Sequence, residues 1–193
     1  LAEDPLMRIN CLVHLGLDSL VKFLPDSLGI TARGSMDGSI KGSCRLSQLN
    51  VAGIKGSGLK GNLTSRGISI EDTRDTISAF LGKTDISIGG ESLVKATVDS
   101  LQAIYGESTY IRGSGVRIAA DTDRSVSGID VSINLESVGV MGGDSTFVGI
   151  RNSTNKFKYS LDKGSFSLTS SNEGISMREG ANSFSLRNAV LSV

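Results

Sequence analysis

The sequence predicts an all-β fold, an elongated antiparallel sheet assembled from repeated hairpins. Three observations predict it. Apolar residues recur at every second position over long stretches, which is the period of a half-buried strand. Glycine is abundant (24 residues) and proline scarce (2), a balance that suits tight turns between strands that keep their backbone donors. A segment of hairpin character also returns after 37 residues.

From the N-terminus, Ile9, Cys11, Val13, Leu15 and Leu17 alternate as one strand over residues 9 to 17. Asp18 and Ser19 then supply an N-cap for one short helix near residues 18 to 24, covering Leu20 to Leu24, and Pro25 stops it. From Gly29 the alternation resumes. Ile30, Ala32, Gly34, Met36, Gly38 and Ile40 share one face, and Thr31, Arg33, Ser35, Asp37, Ser39 and Lys41 the other.

The repeat organises the rest. Residues 96–110 read ATVDSLQAIYGESTY, and residues 133–147 read INLESVGVMGGDSTF. Their shared skeleton is an apolar residue, Asp or Glu, Ser, an apolar residue, a Gly-led polar turn, then an aromatic. Residues 172–184, NEGISMREGANSF, place Gly180 and Phe184 where Gly106 and Gly143, and Tyr110 and Phe147, stand in the earlier copies. Residues 67–78 resemble 174–185 at a different spacing. Each copy has hairpin chemistry: an alternating run, a glycine reversal, and an aromatic that opens the return strand. The whole of 1–193 therefore reads as a single β-repeat segment, with hairpins near 67–80, 96–112, 133–149 and 172–187. Leu93, Thr97, Leu101 and Ile104 also fit a helical face, but the copy at 129–142 has strict period two, so a strand is expected at 92–105.

Composition narrows the function classes. Twenty basic residues balance twenty acidic ones, and Lys and Arg are scattered singly, so no basic stripe for nucleic acid exists. The longest apolar stretch, Cys11 to Leu24, is interrupted by His14, Asp18 and Lys22 and is too short to span a bilayer. Cys11 and Cys44 face each other if the first strand pairs with the strand near residue 40; otherwise they are two buried free thiols.

Motifs that suggest chemistry lack the context that chemistry needs. Gly56 to Gly61 matches the dinucleotide fingerprint, yet the alternating Asn62 to Ile70 offers no helix to aim at a pyrophosphate. His14 is the only histidine and sits on the polar side of its strand. Asp121 and Asp123 lack the further ligands of a calcium loop, with Arg124 where a ligand would help. Asn62-Leu63-Thr64 and Asn152-Ser153-Thr154 are sequons of a kind that arises by chance. No catalytic residue, metal ligand or cofactor site is assigned. What remains is a set of strands with one apolar and one polar face. Such faces either bury one another in a sandwich or barrel, or line an open gutter that shelters something apolar.

The N-terminal third resembles the AsmA/TamB family of bacterial envelope proteins. The resemblance rests on the strand INCLVHLGL, the DSLVKFLP helix and the glycine-punctuated strand LGITARGSMDGSIKG, in that order. The later DSL and glycine-turn hairpins resemble the long AsmA-like proteins of Bacteroidetes-type bacteria. The resemblance implies a β-sheet curled into a U-shaped, taco-like groove with an apolar interior. It implies a periplasmic location, with tethering to the inner membrane through a helix outside this segment. The implied partners are phospholipid acyl chains and outer-membrane assembly proteins. The groove lining expected from the alternation is Ile30, Ala32, Met36, Ile40, Leu101, Ala103, Ile129, Val131, Ile133, Leu135, Phe157, Tyr159, Phe166 and Leu168, with Gly34, Gly38 and Ala32 leaving room in it. The alternative function is a structural β-repeat scaffold, or an adhesin or protein-interaction module with a closed core.

Overall fold

The computed structural model describes residues 4–23, 25, 29–48, 58–72, 74, 76–89, 92–122, 127–143, 145–160 and 162–193. Within them lie twelve strands in one antiparallel sheet, one helix of a single turn and a 3-10 turn at Leu46–Gln48. The strands are β1 (Leu6–Gly16), β2 (Ile30–Arg45), β3 (Lys60–Ser65), β4 (Ile68–Asp72), β5 (Ile77–Leu81), β6 (Thr84–Ile88) and β7 (Val94–Tyr105). β8 (Thr109–Thr122), β9 (Gly128–Gly142), β10 (Thr146–Ser160), β11 (Ser165–Glu179) and β12 (Asn182–Ser192) follow.

β3 and β4 are two halves of one ribbon interrupted at Arg66 and Gly67, and both pair with β2. β5 and β6 are likewise one ribbon interrupted at Gly82 and Lys83, and both pair with β7. With those breaks joined, the chain is a meander in which each ribbon pairs only with its neighbours in sequence. At about 4.8 Å per neighbour, ten ribbons make a sheet about 43 Å across.

The Gly106, Gly143 and Gly180 turns stand along one edge, with φ of 61°, 56° and 58°. That left-handed conformation is open to glycine at no steric cost. Each turn is fastened to the one before it. The amide of Gly106 donates to the Thr76 carbonyl (3.1 Å), Gly143 to Ser108 (3.3 Å) and Gly180 to Ser145 (3.2 Å). With these turns drawn uppermost, the sheet divides into an upper half and a lower half.

The hydrophobic core is small and sits at the β2–β4 end, where Met36, Cys44, Leu59 and Ile68 are the buried apolar residues. The total accessible surface is 12,797 Å², against about 8,800 Å² for a compact monomer of this size. A sandwich or barrel would bury one apolar face against another; here a single sheet has two edges, and its apolar side chains are mostly half-exposed.

Several expectations need correction. The helix α1 spans Leu17–Val21, not 18–24, and Gly16 occupies its N-cap with no side-chain capping bond, so Asp18 lies in its first turn. Leu24 lies outside the described residues. Cys11 opposes Ile40 and Cys44 opposes Met7. A four-residue offset along a strand is about 13 Å, beyond the reach of a disulfide. Both thiols are free, and Cys11 is exposed, not buried.

Gly38 does not leave room in a groove. A Cβ there would stand 1.8 Å from the Asn62 carbonyl oxygen and 2.9 Å from the Leu63 Cα. Glycine is required because the β3 backbone comes over this side of β2. The third aromatic of the repeat also departs from its copies. Tyr110 and Phe147 lie on the polar side, but the Gly180–Ala181 turn has two residues where the others have three. That single-residue difference turns Phe184 to the apolar side, opposite Met177.

Candidate functional site: the apolar side of the sheet

The register joins the alternating strands into rows that run across the sheet. In the upper half one row is Ala32, Ile70, Ala79, Ala103, Ile111, Val140, Val148, Met177 and Phe184. The row beside it is Gly34, Ile68, Leu81, Leu101, Gly113, Val138, Ile150, Ile175 and Leu186. In the lower half a third row is Cys11, Ile40, Gly61, Ile88, Val94, Ala120, Val131, Phe157 and Leu168. No charged residue interrupts any of the three.

A seam separates the halves. One row across it holds Asp99 on β7, Gly115 on β8, Glu136 on β9, Asn152 on β10, Glu173 on β11 and Asn188 on β12. Gly115, Asn152 and Asn188 have φ of 59°, 47° and 52°. Left-handed and acidic residues therefore alternate from strand to strand, and the acids recur at the 37-residue spacing of the sequence repeat. Each acidic side chain lies over or bonds to the residue on the preceding ribbon. A Cβ at Gly82 would meet the Asp99 carboxylate, and one at Gly115 would meet that of Glu136. Glu173 accepts a hydrogen bond from the Asn152 amide. Arg117 pairs with Glu136 at 2.8 Å.

The seam shifts the phase of alternation. Below it the apolar positions of β7 are 94, 96 and 98; above it they are 101, 103 and 105. Asp99 and Ser100 project together on the polar side. The Ser100 hydroxyl donates to Asp99 Oδ1 at 3.0 Å, and a Cβ at Gly82 would meet both groups at 2.2 Å. Two consecutive polar residues flip the phase, so the apolar residues of both halves stay on one side. On β2 the alternation runs through unbroken, and β3–β4 takes the extra residue as a bulge: Asp37 pairs with Thr64 but Gly34 with Ile68.

All of the expected lining residues lie on this side. Ile30, Ala32, Leu101 and Ala103 are in the upper half. Met36, Ile40, Ile129, Val131, Ile133, Leu135, Phe157, Tyr159, Phe166 and Leu168 are in the lower half. Phe157 and Phe166 stack with ring centroids 6.3 Å apart. Sequence reasoning missed Ile111, Val138, Val140, Val148, Ile150 and Ile175; the phase change after the acidic-small doublets finds Val138, Val140 and Ile175, and the pairing of their strands then brings in Ile111, Val148 and Ile150. It also missed a polar island in the lower half. Ser153 pairs with Asn172, and Asn155 with Ser170. The Asn155 amide donates to Ser153 (2.9 Å) and the Asn172 amide to Ser170 (3.1 Å).

The opposite side is mainly polar, apart from the row Ile104, Tyr110, Met141 and Phe147 in its upper half. Ser39 donates to Asn62 at 2.9 Å, and the Ser114 and Ser137 hydroxyls are 2.8 Å apart. Lys158 lies 3.4 Å from Asp130. His14 Nδ1 is 2.5 Å from Asp37 Oδ1, with both side chains largely exposed. Gly56 and Ser57 of the dinucleotide-like motif, and Asp123 and Arg124, lie outside the described residues; Lys60–Ser65 is a strand, not a helix. Among the described residues no group of three or more His, Cys, Asp or Glu could hold a metal ion, and no helix is long and apolar enough to cross a membrane.

No protein-family model matches the chain, and neither a curated protein nor a solved structure matches it.

Proposed function

We propose that this chain is a non-enzymatic periplasmic segment whose curled apolar side binds or conducts phospholipid acyl chains and supports outer-membrane assembly. The observation that carries the lipid reading is the apolar side, crossed by three rows without a charged residue on a sheet about 43 Å across, which no second layer covers among the described residues. Burying apolar surface is worth about 25 cal/mol per Å² and about 0.8 kcal/mol per CH₂. That energy is non-directional, so rows of near-equivalent Ile, Val, Leu and Ala let a chain slide without meeting a deep trap. The periplasmic location, the tether to the inner membrane outside this segment and the assembly role rest on the resemblance of the N-terminal strand, helix and glycine-punctuated strand to AsmA/TamB proteins.

The test is extraction of the natively purified protein followed by mass spectrometry. Phospholipid is expected in the wild type and in Ser132→Lys, whose new charge lies on the polar side. It is expected to be lost from Ile133→Lys, one residue away on the apolar side. A wild type free of phospholipid, or an Ile133→Lys variant that retains it, would overturn the reading.

A further inference from the structure

We propose that the upper half of the polar side docks an acidic segment of a partner protein, one that carries apolar residues among its Asp and Glu. The row Ile104, Tyr110, Met141 and Phe147 interrupts the polar character of that side. The strands that carry it, β7 to β10, are paired on both flanks. Ile104 is 39% exposed, and Tyr110 and Met141 are 42% exposed. Apolar side chains left open together in the interior of a sheet mark a contact surface. Phe147 lies down on the sheet. Its ring covers Gly139 and Gly149, where a Cβ would stand 3.0 Å from Cε2 and 2.8 Å from Cζ, so glycine at both positions gives the ring its seat. A depression of about 530 Å³ beside it is lined in part by Arg112, Ser114, Ser137, Arg151 and Ser176.

Charge complementarity names the occupant. Three arginines surround Phe147: Arg178 pairs with it across strands, Arg112 stands opposite Gly139, and Arg151 follows four residues along β10. All three are exposed, and none forms an ion pair with a described residue, whereas Arg117 and Lys158 below them on the same side have acids at 2.8 and 3.4 Å. The planar guanidinium suits a carboxylate bidentately, and clusters of Arg read acidic motifs. Arg, Tyr, Phe and Met are also the residues that protein interfaces concentrate.

An anionic membrane fits this strip less well. The seam carboxylates Asp99 and Glu136 border it from below, so a uniformly negative surface meets both signs of charge, while a segment lying along the aromatic row meets the arginines. The Phe147 ring is laid flat where a membrane anchor would project. A second copy of this chain fits less well too, because its acids are engaged: Glu136 by Arg117, Asp130 by Lys158 and Glu173 by Asn152.

The probe is a labelled synthetic peptide, LDELFDELFD, with LKKLFKKLFK as its charge-reversed control, each titrated with the whole protein and followed by fluorescence anisotropy. The acidic peptide is expected to bind the wild type in preference to the basic one, and more weakly as salt is raised. Arg112→Gln combined with Arg151→Gln should weaken it about tenfold, the loss of two partly exposed charge pairs. Arg112→Glu combined with Arg151→Glu should reverse the preference between the peptides, with the circular dichroism of the sheet unchanged. Equal affinity of the two peptides for the wild type, or an acidic peptide indifferent to the Gln pair, would overturn the proposal. So would attachment of the wild type to phosphatidylglycerol vesicles through these two arginines, or self-association that the Glu pair abolishes.

Discussion

Asn152 holds a left-handed backbone conformation in the middle of β10, where most L-residues would be strained, and its amide bonds to Glu173. Replacement by Gly removes the strain along with that exposed bond, and should leave stability within about 0.5 kcal/mol. Replacement by Val adds a β-branched side chain to the same φ and should cost about 1–2 kcal/mol; denaturant midpoints of the two variants distinguish these outcomes. Gly38 is governed by space. Its missing Cβ is replaced by the Asn62 backbone, so Gly38→Ala must push β2 and β3 apart, at a cost of about 2 kcal/mol or more. Asp4 provides a pH-dependent contact. The Ser47 hydroxyl (2.6 Å) and amide (2.9 Å) donate to its carboxylate, and with a smaller contribution from Arg45 they hold it below the usual carboxylate range against the opposing effect of desolvation. Because the folded value is lowered, this contribution is present above the unfolded value, about 3.9, and is lost as pH falls through the folded one. Exchange of the Ser47 amide should therefore accelerate below about pH 4, and Asp4→Asn should abolish that dependence.

At the scale of elements, the hairpin is the unit that sequence made legible. The period-two runs, the turn glycines and the 37-residue spacing correspond to β7–β8, β9–β10 and β11–β12, and the expected lining residues fall on one side because alternation maps directly onto sheet sides. The purpose of the Asp/Glu-Ser doublet was not legible, since a doublet looks like a fault in alternation until the neighbouring strands are in register. Once paired, it is the place where the phase turns over. Deleting Ser137 from β9 should therefore be far more damaging than replacing it with Ala. The deletion sends Val138 and Val140 to the polar side, whereas the substitution removes one hydroxyl pair with Ser114. Circular dichroism and a denaturant titration of the two variants separate the cases. The size of the Gly180–Ala181 turn was equally hidden, because copies aligned at constant spacing do not show that one turn is a residue shorter. The close approach at Gly38 was hidden for another reason: alternation says which side a residue faces but not how near the next strand's backbone comes.

At the scale of the molecule, the sheet is a one-dimensional series of ribbons, each supported by its neighbours, and among the described residues the buried apolar cluster lies at the β2–β4 end. Stability in such a series is the sum of unit and nearest-neighbour terms, and it need not be uniform along the chain. β12 has a neighbour on one side only and exposed side chains along most of its length, whereas β2 contributes Met36 and Cys44 to the core and is flanked on both sides through its lower half. Each side chain buried there adds about 1.5–3 kcal/mol relative to exposure, a contribution that β12 lacks. Native-state amide exchange should therefore be graded. β12 should open first, then β11, at free energies well below that of β2–β4, and Cys44→Ser should lower protection at the β2–β4 end without changing it in β12. Global exchange with one common free energy for every strand would mean that the ribbons unfold as a single unit, contrary to the nearest-neighbour architecture. The gradient also bears on lipid binding. A ligand lying along the apolar rows touches strands of unequal stability, so it should raise protection most in β10–β12, where the unliganded sheet is weakest, by the difference in its affinity for closed and open states. Exchange measured with and without bound phospholipid would show this as a selective gain at those strands. A gain confined to β2–β4 would place the ligand at that core instead.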